Sequence, residues 1–281
     1  MIRANLPAMA DHPVRPISAQ VYLAHLDTES RRFRDVLSRV DPAIPVPTCP
    51  DWMAADLVWH LTEVQWFWGS IATGPILDGA EVEKVEAGKP PRPEGYQDLL
   101  AVFDTARQRL AAAIADGPDD TPMWSWSAEQ TLGFTRRRQA HEALIHRVDA
   151  ELTAGVPVEP LDAALAADGV DEVLTVMWGL PAWAEFSPGG GLVAIASTDT
   201  GHEWLVELGR MTGTSTYSGK TYDEPSIAVL ATGSRDADAQ VRGTAGDLDL
   251  WVWNRGITGI DRSGSAPALD GLATLIAAGV Q

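Results

Sequence analysis

Residues 136–151, RRRQAHEALIHRVDAE, decide how the chain is read. On an α-helix Glu142 and His146 are four residues apart, so they project from one face, one turn apart. Asp149 lies three residues further on and continues the stripe. Leu144, Ile145 and Val148 flank it, which points the stripe toward a partly buried interior. A polar stripe against a core needs a metal, a substrate or an internal network. A carboxylate and an imidazole at this spacing suit one shared metal ion. The same spacing also suits an exposed i,i+4 pair on a solvated face.

Outward from this segment the pattern is helical toward the N-terminus. The stripe helix itself is predicted over about 135–153, with Gly155 ending it. A first helix begins near Ser18, with Tyr22, Leu26, Phe33, Leu37 and Val40 near one face. The proline-rich stretch 41–50 reads as a loop, and Asp51 as the cap of a second helix. That helix carries Met53, Leu57, Leu61, Val64, Trp68 and Ile71 at spacings of three and four. A charged Gly/Pro-rich loop is predicted over roughly 74–95, and a third helix on Leu99, Phe103, Leu110 and Ile114. Four such helices suggest an antiparallel bundle.

Toward the C-terminus the texture changes. Residues 161–178 read as helix, and after Pro188 and three glycines come strand candidates at 191–197, 203–208, 226–230 and 240–243. Short helices are predicted near 246–254 and 268–278. The fold class expected is α+β, an all-α domain over 1–158 followed by a smaller α/β domain over 159–281.

Composition bounds the function. The 281 residues hold 21 Lys+Arg against 39 Asp+Glu, a formal charge of −18, which argues against a nucleic-acid or anionic-membrane partner. The N-terminus lacks an apolar stretch of signal-peptide length, and no run reaches the roughly 20 apolar residues of a membrane span. A cytoplasmic protein with a small-molecule substrate is expected, its oligomeric state open between monomer and homodimer. The single cysteine, Cys49, excludes an internal disulfide framework and a four-thiolate metal site. Cys49 precedes a helix, a setting that lowers a thiol pKa, but a small residue packed in a Pro-flanked turn is the commoner reading.

His60 joins the stripe from another helix. It lies three after Leu57 and four before Val64, as either a satisfied core histidine or a ligand. With Glu142 and His146 it makes a plausible open three-ligand site for zinc or another divalent ion. The other histidines fit less well: His141 is one step off the stripe, His25 is a rim position, and His12 and His202 lie outside the bundle core. Trp52, Trp59, Trp66 and Trp68 cluster on the second helix, while Trp124 and Trp126 mark a loop that would wall a pocket. Arg136, Arg137 and Arg138 read as a solvated face or as cations for a substrate. Arg255 reads as a clamp for an anionic group or as a helix-terminal cation.

Four segments together resemble one family: VPTCPDWMAADLVWHL (46–61), RRRQAHEALIHRVDAE (136–151), PLDAALAADGVDEVL (160–174) and GTAGDLDLWVWNR (243–255). They are similar, in order and over nearly the whole chain, to the actinobacterial mycothiol-dependent maleylpyruvate isomerase family. The resemblance implies a DinB-like metal-binding four-helix bundle joined to a sterol-carrier-like α/β domain. By position it implies His60, Glu142 and His146 as zinc ligands, Asp149 beside the metal and Arg255 as the functional arginine of the second domain. Mycothiol is then the implied cosubstrate, adding to an electrophile for cis–trans isomerisation or S-transfer. Two other functions fit the same residues. A thiol-independent metal enzyme (an isomerase, hydrolase or lyase) would turn over without thiol. A non-catalytic small-molecule-binding protein would carry no metal.

Overall fold

The structure, a computed structural model, describes residues 17–74, 76–216 and 218–279. His12 lies outside the described residues. The chain divides into two compact units, one ending at Pro160 and the other continuing from Leu161. Among the described residues no helix is long and apolar enough to cross a membrane.

The first unit is built on four long helices: α1 (Ala19–Leu37), α2 (Ala54–Thr73), α4 (Tyr96–Ile114) and α5 (Leu132–Ala154). Ser18 stands at the N-cap of α1, but its side chain makes no cap bond. Thr131 caps α5 by accepting from the Phe134 amide, and Gly155 ends it in the left-handed conformation, φ 65°, where a glycine carries no Cβ penalty. Phe33, Leu37, Leu57, Leu61, Leu99 and Phe103 share one core.

Several expectations for this unit need correction. The 41–50 stretch is not all loop: β1 (Pro45–Val46) pairs antiparallel with β2 (Cys49–Met53), and Asp51 lies inside β2. The cap of α2 is therefore Met53, whose amide donates to Asp56 Oδ2 at 2.8 Å. Residues 79–87 form a helix, α3 (Gly79–Ala87), capped by Asp78. It buries no residue, so it shows none of the apolar periodicity that reveals a helix in sequence. The bundle is also not simply antiparallel. Tyr22 lies on His141, Glu29 on Arg147 and Arg32 on Glu151, so α1 runs with α5. Phe33 meets Phe103 and Asp27 meets Arg107, so α4 runs against α1. The crossover through α3 lets α2 and α4 run the same way, with the first turns of both in one core and Gly69 packed on Leu110.

Helix α5 is almost wholly buried despite its polar sequence, so its charges must be paired. Arg147 donates to Glu29 and Glu151, each at 2.7 Å, and Arg32 donates to the other oxygen of Glu151 at 2.8 Å. Arg136 is 2% exposed and donates to the carbonyls of Ile114 and Gly117 and to Asp119. It closes the C-terminal end of α4, which corrects the expectation of a solvated arginine face.

The second unit opens with α6 (Ala163–Glu172), capped by Asp162 and continued by a π-helical turn over Val173–Met177. A five-stranded sheet follows in the order β5-β4-β3-β6-β7. Its strands are β3 (Ala184–Ser197), β4 (Glu203–Thr214), β5 (Thr221–Leu230), β6 (Ala239–Gly243) and β7 (Asp261–Gly264). Only β3 and β6 pair parallel. β3 and β4 are longer than expected because the glycine run does not break the strand. The register steps from Pro188↔Gly209 to Gly191↔Leu208, a bulge that absorbs Gly189 and Gly190. β7 is short and exposed and carries no alternation to read. Trp204, Val206, Ile195 and Val241 of the sheet pack with α6, with α7 (Ala245–Val252) and with α8 (Ala266–Ala278) around one core.

Candidate metal centre

Two helices of the bundle bring the predicted ligands together. His60 lies on α2, and Glu142 and His146 lie one turn apart on α5. Their ligand atoms all fall within 4.8 Å of one another. Glu142 Oε1 sits 3.3 Å from His60 Nε2 and 3.1 Å from His146 Nε2. The two imidazoles meet edge to face at 4.7 Å between centroids.

Two of the three ligands are held from behind by hydrogen bonds. Arg138, buried and one turn before Glu142, donates to Glu142 Oε2 at 2.9 Å. That leaves Oε1 toward the histidines. Asp149 Oδ2 accepts from His146 Nδ1 at 2.9 Å, which turns Nε2 of the same ring toward Glu142. Asp149 Oδ1 accepts from the Thr48 hydroxyl at 2.5 Å. The Trp52 ring, on β2 rather than on the second helix, lies 4.7 Å from the His60 ring.

The electrostatics favour the charged forms of Glu142 and His146. Burial alone would raise the Glu142 carboxyl. Hydrogen bonds from His146 and His60, with the Arg138 charge, outweigh that and hold it well below the usual carboxylate range. Burial alone would push His146 down, but hydrogen bonds to Asp149 and Glu142 and their charges raise it to about 9. A carboxylate oxygen and two imidazole nitrogens converging on one point, with outer partners on two of the three ligands, are donors that fit zinc or a similar divalent ion. Three protein ligands leave a position for water or substrate.

The remaining sequence candidates fall elsewhere. Asp149 lies behind His146, on the side away from Glu142. His141 is buried against Tyr22. His25 lies 3.8 Å from Glu29, and His202 bonds Thr200 in the second unit. Cys49 is half-buried on β2 and forms no disulfide. Trp124 stacks on Trp68, whereas Trp126 stands half exposed beside Phe134. Arg255 follows α7 in the second unit and donates to the Trp253 carbonyl at 2.6 Å. Thr48 was not singled out from the sequence. Its sequence signal is its place in the Pro-Thr-Cys-Pro turn.

A helical bundle bearing a His/Glu/His set, on a chain that continues into an α/β unit, defines the class: an α+β protein with a candidate metal centre in its helical part. Residues 23–151 match the family model of the mycothiol maleylpyruvate isomerase N-terminal domain. A solved structure of the mycothiol-dependent maleylpyruvate isomerase is similar in fold. It has 14% identity and a TM-score of 0.55, and the match covers 90% of this chain and 96% of that one. A histidine-to-alanine mutant of that isomerase matches over the same shares with a TM-score of 0.56, also at 14% identity. Among curated proteins none matches this chain.

Proposed function

We propose that the chain is a divalent-metal enzyme, with zinc as the ion, that uses mycothiol for cis–trans isomerisation or S-transfer on a small electrophilic substrate. The observation that carries this reading is the convergence of His60, Glu142 and His146 within 4.8 Å. The family match of residues 23–151 and the mycothiol dependence of the similar isomerase support the thiol. When bound, a divalent ion supplies the positive charge that keeps a nearby thiol deprotonated at neutral pH.

The chain's own residues do the rest. His60, Glu142 and His146 hold the ion through one atom each. Asp149 keeps the His146 ring turned so that Nε2 faces the ligand position. Arg138 holds Glu142 Oε2 and so restricts Glu142 to its other oxygen. Trp52, packed on His60, gives an apolar wall that excludes water on that side. Arg255 is the proposed cation for a substrate carboxylate, on the strength of the family resemblance. In isomerisation the thiolate sulfur adds to one carbon of an activated cis alkene. The double bond becomes single, rotation follows, and the sulfur leaves with its electron pair as the alkene re-forms. In S-transfer the protonated adduct is the product.

The test is elemental analysis of protein purified without chelators, followed by turnover assays with and without thiol. Near-stoichiometric zinc and thiol-dependent turnover of an electrophile such as maleylpyruvate are expected. A wild-type protein that takes up no divalent ion on titration sinks the metal reading. Turnover at full rate without any thiol sinks the thiol and selects the thiol-independent enzyme.

A further inference from the structure

We propose that Thr48 is a positioning residue for the metal centre, acting through Asp149 on His146. This inference rests on the metal reading above and extends it to a residue outside the helices that carry the ligands.

Thr48 occupies the turn between β1 and β2, and three features fix where its side chain goes. The pairing Val46↔Cys49 closes the turn immediately around it. Val46 is fully buried in the bundle core, which anchors the first strand. The Ala54 amide donates to the Ile44 carbonyl at 2.8 Å, which ties the end of the second strand back to the segment before the first. From this place the Thr48 hydroxyl donates to Asp149 Oδ1 at 2.5 Å.

Asp149 is 0% exposed, and its two oxygens face different tasks. Oδ2 accepts from His146 Nδ1, while Oδ1 accepts from Thr48. A carboxylate turns about its Cβ–Cγ bond unless both oxygens are held. Thr48 holds the second oxygen, so the first stays aligned with the imidazole. The alignment keeps the Nδ1 proton on the Asp149 side and the Nε2 lone pair available for the ion. The same hairpin also places Trp52 against His60. One small β element therefore bears on both imidazoles of the centre.

The experiment measures zinc affinity by chelator competition, and the visible spectrum of the cobalt-loaded protein, for wild type, Thr48→Val, Thr48→Ser, Asp149→Asn and the Thr48→Val/Asp149→Asn double variant. Outer-layer substitutions behind a metal ligand cost roughly 10–100-fold in affinity. Thr48→Val is expected at the lower end, about 10-fold, with a changed cobalt spectrum. Thr48→Ser, which keeps the hydroxyl, is expected to restore both. On the Asp149→Asn background Thr48→Val should add no further loss, because the two residues act in series. Wild-type affinity in Thr48→Val overturns the inference and leaves the metal centre standing. An undiminished Thr48→Val loss on the Asp149→Asn background, or a Thr48→Ser protein as weak as Thr48→Val, also overturns it, since the effect then belongs to the shape of the turn. A wild-type protein that binds no zinc removes the metal reading and this inference together.

Discussion

His60 and His141 show how little a histidine's residue type says without its neighbours. Both sit in the helical unit, and His141 is the more deeply buried of the two. Only His60 brings an imidazole nitrogen to Glu142 and His146. His60 is also the more exposed, with a side chain about one-third open, so its removal should disturb packing little. His60→Ala is expected to lose metal affinity by more than the roughly 100-fold ceiling of an outer-layer substitution. The thermal midpoint of its metal-free form should stay near that of the metal-free wild type. Chelator competition and a melting curve check the two halves of that statement. Glu142, His146 and Asp149 were legible as a set because helical spacing alone puts them on one face. Thr48 was not, because no periodicity says where a turn aims its side chain. Helical spacing puts Arg138 one turn above Glu142, but its burial and its bond to Oε2 depend on what packs over it.

Helix α5 carries a low-contrast sequence that buries nearly all its length. Its amphipathic signal is weak because charged residues on the buried faces are matched by partners from other helices. Arg136 is the clearest case, since it serves carbonyls at the end of α4 and the Asp119 carboxylate. In sequence the triplet 136–138 looked like a solvated patch, and nothing local reveals that one of its members closes another helix. Arg136→Met should lower stability by about 3 kcal/mol, the cost of leaving buried acceptors without a donor. Chemical denaturation monitored by circular dichroism measures it, and a change below about 0.5 kcal/mol, the usual surface value, would reject the capping role. The main helices and the sheet of the second unit were readable because each buries a periodic apolar face. α3 and β7 were missed for the converse reason: neither has a buried residue to leave a pattern.

On the scale of the whole molecule the net charge of −18 conceals paired acids inside the first unit. Burial alone would raise Glu29, but the nearby His25 imidazole and the Arg147 charge and hydrogen bond outweigh it and lower its pKa from the usual carboxylate value. A carboxylate depressed in the folded state adds stability above its unfolded pKa, and that stability is lost as pH falls through the folded value. Wild type should therefore lose stability more steeply than Glu29→Gln between about pH 5 and pH 3. Parallel urea titrations at several pH values give the two slopes, and equal slopes would refute the pairing. The candidate centre has a consequence for the chain as a polymer. His60 and Glu142 are 82 residues apart in sequence, so an ion held by both is a latch across a long loop. Because it grips the native arrangement alone, it deepens the folded well by mass action. Backbone amides of α2 and α5 should then exchange hydrogen more slowly once zinc is added, to a degree that tracks free zinc concentration. The ion that serves the chemistry would also set how often these two helices part.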